Sequence, residues 1–201
     1  MLVGGGAKKG SRARSSLLKH VRHTIEANGI CIDLLLAALR LPWSNGGDSV
    51  ATWRSAAACA RGALRPDSYV MIDQGQTSFG FFLEYDRGTE SGRDYRRKFG
   101  AYHRYAETGR FARDYEGFPI VLFVTNSPGA EKRIAEAGCA ASVGQAVALP
   151  FLLSMVGLIR GPEGPFGPIW RVPADTMRQS WPLPRGVPQH PSVAGRRGRG
   201  A

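Results

Sequence analysis

Cysteine is scarce in this chain, and a long apolar run is missing. The three cysteines, Cys31, Cys59 and Cys139, are widely spaced and form no CxxC pair, which argues against a disulfide framework and a structural zinc site. The longest apolar run, within residues 146–159, is too short and too interrupted to span a bilayer. The first residues lack the apolar core of a secretory signal. These absences predict a soluble, cytoplasmic protein with reduced thiols.

Acidic residues are missing from the start of the chain and rare at its end. Residues 1–22 hold six Lys or Arg and no acid, and residues 160–201 hold seven Arg and two acids. The segment between them is balanced, so the ends carry the whole net charge of +11. Basic ends attract polyanions through counterion release, in a salt-sensitive and sequence-independent manner. The alternative is that they only aid solubility.

The 201 residues have room for one ordinary domain. Residues 1–14, rich in Gly, Lys and Arg, are predicted to be a disordered basic N-terminus. Residues 15–160 are predicted to form an α/β domain. Residues 161–201 contain eight of the thirteen prolines and are predicted to form a strap, docked through the aromatics of residues 166–170, and then a disordered tail.

Apolar periodicity predicts the elements of the domain. A helix is expected from Ser15 or Ser16 to Arg40, with Asn28-Gly29 as a possible break. Its predicted core-facing stripe consists of Leu17, Val21, Ile25, Ile32, Leu35, Leu36 and Leu39. The elements expected after it are a short strand with a helical turn in 50–61, strands at 66–73 and 79–86, a helix at 92–108 and a strand in 117–125. A helix that begins at residues 126–128 and contains residues 131–137 is expected next, and then a strand within 146–159.

Acidic residues interrupt the two strands predicted at 66–73 and 79–86. Asp67 follows Pro66, and Glu84 and Asp86 lie two apart, which places both on one face of a strand. Ionised carboxylates are rarely buried unless they are paired, hydrogen-bonded or bound to metal. The pattern favours a hard divalent cation and chemistry on phosphate. The alternative is that Asp67 is a turn residue and Glu84 points to solvent.

Basic residues mark one face of the helix predicted at 92–108. Arg93, Arg97 and Arg104 share this face, opposite a face of aromatic residues. The arginines are candidates to follow a phosphate backbone, and a solvated helix face is the equal alternative. His20 and His23, three apart on the first helix, are expected to lie at the surface rather than to bind metal.

The order of elements, with PD on one strand and E-x-D on the next, resembles the PD-(D/E)xK nuclease core. The string Glu84-Tyr85-Asp86-Arg87-Gly88-Thr89-Glu90, with residues 64–67, 97–102 and 118–125, resembles the replication-relaxation family over about residues 20–172. The resemblance implies a restriction-endonuclease-like mixed sheet flanked by helices. It also implies a plasmid or mobile-element setting and Mg²⁺ held by Asp67 and Glu84, and we expect Asp86 to be a further metal ligand or a group that orients water.

The sequence departs from this pattern in two places. Asp86 stands where the superfamily has Lys, and Lys98 on the next helix is a candidate replacement. Its alternative role is a helix pair with Asp94. Tyr102 is expected in the core with its hydroxyl directed to the site, while Arg87 and Glu90 are expected to brace the turn. The family's usual upstream winged-helix region has no room here, so a truncated or diverged copy stays open.

Two functional hypotheses follow. In the first, the nuclease-like core binds DNA or plasmid replication and mobilisation proteins, with catalysis unproven. In the alternative, the protein is a Mg²⁺-dependent DNA endonuclease or nickase in which Asp67, Glu84, Asp86 and Lys98 are catalytic. The sequence leaves the oligomeric state open.

Overall fold

The computed structural model describes residues 6–40, 52–74, 77–115, 117–180 and 190–191. The helices are α1 (Gly6–Arg40), α2 (Ala56–Cys59), α3 (Gly92–Glu107), α4 (Phe111–Tyr115), α5 (Pro128–Ser142) and α6 (Val156–Ile159). The strands are β1 (Thr52–Ser55), β2 (Ser68–Gln74), β3 (Thr77–Asp86), β4 (Ile120–Thr125), β5 (Phe151–Met155) and β6 (His190–Pro191). The predicted elements are present, and α4, α6 and β6 are additions.

A mixed sheet with strand order β1-β2-β3-β4-β5 forms the centre of the fold. Strands β1, β2 and β3 are antiparallel neighbours, whereas β3, β4 and β5 run parallel. The short β6 pairs with the start of β3. The chain crosses over between the parallel strands through α3 and α5, as parallel pairing requires. The predicted mixed α/β fold with flanking helices is confirmed.

Side chains of alternate residues build one core on each side of the sheet. In β3, Phe81, Leu83 and Tyr85 join a cluster with α1, while Phe82 packs among the aromatic residues of α3. Every residue of β4 is buried, as expected for a central strand covered on both faces. The strap also reaches the core, because Trp170 is completely buried in the cluster that contains α1.

Helix α1 is longer than predicted. It begins at Gly6 rather than Ser15 and runs without a break through Asn28 and Gly29. Residues 6–14, predicted to be disordered, lie within it, whereas residues 1–5 are outside the described part of the chain. A glycine inside a helix costs only about 1 kcal/mol relative to alanine. Burial of Ala27 and Ile30 on either side of this pair offsets that cost.

The predicted core-facing stripe of α1 is wrong. Its residues Leu17, Val21, Ile25, Ile32, Leu36 and Leu39 are 43–65% exposed, and Leu35 alone packs partly against the core. The face that contacts the sheet consists of Ala27, Ile30, Cys31, Leu34 and Ala38. Three of these five side chains are small, and small side chains let a helix lie close to a sheet. Hydrophobicity alone favoured the opposite face because it carries the larger residues.

The predicted tail lies mostly outside the described residues. Residues 181–189 and 192–201 are not described, and His190–Pro191 forms β6. In the described part of the chain, no helix is both long enough and apolar enough to cross a membrane.

Candidate functional site

Asp67 and Glu84 are brought together by the antiparallel pairing of β2 and β3. Asp67 immediately precedes β2, and its backbone N–H donates to the Leu83 carbonyl at 2.9 Å. Its side-chain Oδ2 accepts a hydrogen bond from the Tyr85 backbone N–H at 2.8 Å. Asp67 is therefore hydrogen-bonded to the backbone of the residues before and after Glu84, which holds it next to Glu84 on β3. The carboxylates are near enough that Asp67 contributes to raising the pKa of Glu84.

Glu84 is a buried carboxyl with two partners on α3. It is 3% exposed, and its Oε1 accepts a hydrogen bond from the Tyr102 hydroxyl at 2.7 Å. Its Oε2 lies 2.9 Å from Lys98 Nζ. Burial raises the pKa of Glu84 to about 7, even though the Lys98 ammonium acts in the opposite direction. The expected orientation of the Tyr102 hydroxyl is confirmed.

Lys98 bridges two carboxylates. Its Nζ lies 2.9 Å from Oε2 of Glu84 and 2.9 Å from Oε1 of Glu90. Burial lowers the pKa of Lys98, but the surrounding carboxylates outweigh burial and raise it. Among the described residues Lys98 forms no ion pair with Asp94, which was its alternative role. Asp94 instead closes a capping box with Ser91 and lies 3.6 Å from Arg97. That capping box fixes the first residue of α3 and therefore the position of Lys98 on the helix.

Glu90 belongs to this site, although the sequence indicated only a bracing role in the turn. Its Oε2, like Oε2 of Glu84, is buried and accepts no hydrogen bond within the described residues. The Lys98 ammonium, 2.9 Å from Glu84 Oε2, is the ion-pair partner of that oxygen. Two carboxylates around one ammonium leave this cluster with a net negative charge when all three groups are ionised.

Asp86 is engaged in the turn beside this cluster. It is 3% exposed, and its Oδ2 accepts a short hydrogen bond from the Tyr95 hydroxyl. Its Oδ1 accepts from the backbone N–H groups of Thr89 and Glu90 at 3.2 and 3.4 Å. Burial and the nearby carboxylate raise the pKa of Tyr95. Asp86 therefore stabilises the turn between β3 and α3, and both of its oxygens are occupied there.

His23 contacts Asp67, which the sequence did not predict. Its Nε2 lies 2.9 Å from Oδ1 of Asp67, and its ring stacks on Tyr85 with centroids 5.5 Å apart. The hydrogen bond to Asp67 raises the pKa of His23. The available signal was helical spacing: His23 lies four and seven residues before Ala27 and Ile30, both on the buried face of α1.

Arginine side chains line two neighbouring cavities beside Glu84. One cavity, of about 430 Å³, is lined by Glu84, Arg65, Arg97, Lys98 and Arg104, among others. The second, of about 390 Å³, is lined by Arg61, Arg104, Arg110, Arg113 and Asp114, among others. Leu64 and Arg104 line both. Two of the predicted arginines, Arg97 and Arg104, therefore lie beside Glu84, whereas Arg93 lines neither cavity.

The three carboxylates predicted to bind metal have different partners. No group of three His, Cys, Asp or Glu side chains in the described residues is arranged to hold a metal ion. Asp67 and Glu84 lie at the site, but the oxygens of Asp86 are bound within the turn. Binding of a divalent cation by Asp67, Glu84 and Asp86 therefore stays a prediction, and we derive no catalytic step through a metal from this geometry.

The raised pKa of Glu84 gives a prediction for stability as a function of pH. Between pH about 4.5 and about 7 Glu84 is ionised in the unfolded chain but protonated in the folded one. The folded state then binds more protons, so the free energy of unfolding decreases as pH rises through this window. We expect this contribution, on the order of 3 kcal/mol, to disappear in Glu84→Gln.

Urea denaturation of both proteins at half-unit steps from pH 4 to 9 measures this difference. His23, whose pKa is also raised, adds a loss of stability above pH 6.5, but it is present in both proteins. Parallel profiles for the wild type and Glu84→Gln would contradict a raised pKa at Glu84.

Comparison with known proteins identifies the family. Residues 3–121 match the family described as replication-relaxation. The match extends from α1 into β4 and includes Asp67, Glu84 and Lys98. No curated protein and no solved structure matches the chain. The family's description gives the protein a role in replication or DNA processing. The chain belongs to the replication-relaxation family.

Proposed function

We propose that the protein binds DNA along the arginine-lined groove formed by the two cavities beside Glu84, in the replication of a plasmid or mobile element. One observation carries this proposal: seven basic side chains but only two acidic ones, Glu84 and Asp114, line these cavities. The basic residues are Arg61, Arg65, Arg97, Lys98, Arg104, Arg110 and Arg113.

The acids of the groove do not cancel its positive charge. Lys98 is neutralised by Glu84 and Glu90, and Asp114 forms ion pairs with both Arg61 and Arg113. Arg65 and Arg104 are exposed at the rim, where a phosphate backbone can reach them. Guanidinium groups suit this task because their fork of N–H donors matches phosphate oxygens. Contacts of this kind position DNA without reading its sequence.

A pair of variants on α3 tests the groove. Arg104→Ala removes the charge shared by both cavities, and we expect it to weaken binding of a fluorescent DNA duplex about tenfold and to lower the salt slope by about 1. Arg93→Ala removes the same charge from an exposed position outside the groove. We expect it to leave affinity within about twofold of the wild type. Fluorescence anisotropy over a series of salt concentrations measures both quantities.

Equal losses in the two variants would place the binding on the exposed face of α3 rather than in the groove. No loss in either would contradict the proposal. A third protein lacking residues 186–201 separates the basic C-terminus from the groove. If the truncation alone abolished binding, the charged end would carry it and the groove would not.

A second candidate function is Mg²⁺-dependent cleavage of DNA. The observation that favours it is the pair of coupled carboxylates, Asp67 and Glu84, with the ammonium of Lys98 beside them. A carboxyl with a pKa of about 7 is also suited to proton transfer near neutral pH. The engagement of Asp86 in the turn argues against cleavage and makes DNA binding the favoured function.

Nicking of supercoiled plasmid with Mg²⁺ tests this second function. Cleavage by the wild type that is lost in Glu84→Gln and after chelation supports it. Equal cleavage by both proteins, or none by either, would reject it without affecting the binding proposal.

A further inference from the structure

Helix α1 carries a second apolar face that nothing in the described residues covers. Its large residues are Leu17, Leu18, Val21, Ile25, Ile32, Leu36 and Leu39, all 43–65% exposed. From residue 17 to residue 39 this stripe is about 33 Å long at 1.5 Å per residue. The opposite face of the same helix packs on the sheet. A helix that is apolar on two faces is normally covered on both.

The spacing within the stripe matches that of a coiled coil. Leu18, Ile25, Ile32 and Leu39 recur every seven residues, and Val21, Asn28 and Leu35 lie three positions after the first three of them. Of this second set, Leu35 also packs partly against the core. A repeat of seven, alternating three and four, keeps one seam facing a partner helix. A helix that only packs on its own sheet requires no strict repeat of seven, so this pattern indicates a partner that is also a helix.

We propose that the stripe of α1 pairs with the same stripe of a second copy of this chain, in an antiparallel arrangement. The exposed fractions of the seven side chains leave on the order of 600 Å² of apolar surface per copy, which approaches the 800 Å² that a standard stable interface buries per partner. A stripe that meets itself is self-complementary, as a twofold interface requires.

Charge selects the antiparallel direction. Arg14, Lys19 and Arg22 precede Glu26, the first acid of the helix. Parallel pairing would bring the two basic halves together. Antiparallel pairing places the two basic halves at opposite ends of the pair, where they do not repel each other.

The middle of the stripe fits a twofold axis. Antiparallel pairing centred beside Asn28 brings Leu18 against Leu39 of the other copy and Ile25 against Ile32. In this register Asn28 of each copy lies opposite Gly29 of the other, one residue from the second Asn28, so the two amides are close enough to donate and accept mutually. A single polar residue in an apolar seam fixes register at some cost in stability.

Sedimentation equilibrium of the full chain and of two variants tests the proposal. We expect a dimer for the wild type, and for Ile25→Glu a dissociation constant at least about 100-fold higher, because a carboxylate would be buried in the seam. Val143→Glu makes the same kind of change at a site 79% exposed and outside α1, and we expect it to remain dimeric. A monomeric wild type, or a dimer that survives Ile25→Glu, would overturn the proposal.

Cysteine cross-linking tests the direction of the pair. In a background with the exposed Cys139 changed to serine, Asn28→Cys is expected to form an intermolecular disulfide under mild oxidation. Leu18→Cys alone is expected not to, whereas Leu18→Cys combined with Leu39→Cys is. Efficient cross-linking of Leu18→Cys alone would overturn the antiparallel arrangement. If the stripe is instead covered by a different protein, none of the three variants will cross-link.

Discussion

Replacing Lys98 with methionine is expected to lower the free energy of unfolding by about 3 to 5 kcal/mol at pH 8. The change keeps most of the apolar stem but removes the ammonium that lies 2.9 Å from both Glu84 and Glu90. Glu84 is 3% exposed, so its charge would have no counter-charge and little access to water. Removing one partner of a buried ion pair lowers the free energy of unfolding by more than the intact pair contributes, because the remaining charge is buried without a counter-charge.

The loss in Lys98→Met is expected to depend on pH. Without the ammonium the pKa of Glu84 rises further above 7, so at pH 5 the carboxyl is neutral and the loss is smaller. The cost therefore grows as pH rises from 5 to 8. Urea denaturation at these two pH values measures it. Arg97→Met is the matched control, since Arg97 lies on the same helix with its side chain 77% exposed, and we expect a change within about 0.5 kcal/mol.

A double variant separates loss of the charge pair from loss of packing. Adding Glu84→Gln to Lys98→Met removes the stranded carboxylate, and we expect it to restore about half of the lost stability at pH 8. If the two changes were additive, or if Lys98→Met cost the same at pH 5 and pH 8, the buried pair would not be the source of the effect.

The sequence predicted the sheet and α3 well because their signals are local. The two strands carry β-branched and aromatic runs on either side of a polar turn, and Ser91 with Asp94 marks the start of α3 through its capping box. The predicted aromatic face of α3 is confirmed for Tyr95, Phe99 and Tyr102, all completely buried. Because α3 follows β3 closely, Lys98 could be placed near Glu84 from spacing alone.

The errors of prediction arose where tertiary contacts decide. Both faces of α1 are apolar, and the sequence cannot tell which one meets the sheet. The choice depends on how near the helix can approach, which small residues such as Ala27 and Ala38 permit. The contact between His23 and Asp67 was not predicted for the same reason, since it depends on which face of α1 packs on the sheet. Alternation in β3 placed Asp86 beside Glu84 but did not show that Tyr95 and the turn N–H groups would engage its oxygens.

The strap after α6 is a part of the core that composition did not reveal as such. Prolines and glycines suggested little structure beyond docking aromatics, yet Trp170 and Arg171 pair with other segments of backbone. The backbone N–H of Trp170 donates to the Gln179 carbonyl at 3.2 Å, and the Trp170 carbonyl accepts from the Gln179 N–H at 2.7 Å. In the same way, the N–H of Arg171 donates to the carbonyl of Leu153 in β5 at 3.1 Å, and its carbonyl accepts from the Leu153 N–H at 2.8 Å. Arg178 also donates to both oxygens of the buried Glu131 on α5. The strap is therefore fixed to the sheet edge and to a helix.

Trp170→Ala is accordingly expected to cost about 3 to 5 kcal/mol, the range for truncating a large buried aromatic residue. The indole is completely buried, and its Nε1–H donates to the Pro165 carbonyl at 2.8 Å. Trp53→Ala is the control, because Trp53 is 41% exposed on the edge strand β1, and we expect a loss of less than about 1 kcal/mol. Urea denaturation followed by circular dichroism measures both variants.

Limited proteolysis distinguishes a local loss of the strap from a global loss of stability. We expect Trp170→Ala to be cut within residues 160–180 at protease concentrations that leave Trp53→Ala intact, because release of the strap exposes its backbone.

Trp170→Phe retains most of the apolar contact but loses the indole donor, so an intermediate cost of about 1 to 2 kcal/mol is expected. If Trp170→Ala were no less stable than Trp53→Ala, the strap would lie on the surface as a passive cover, and the domain would end at β5.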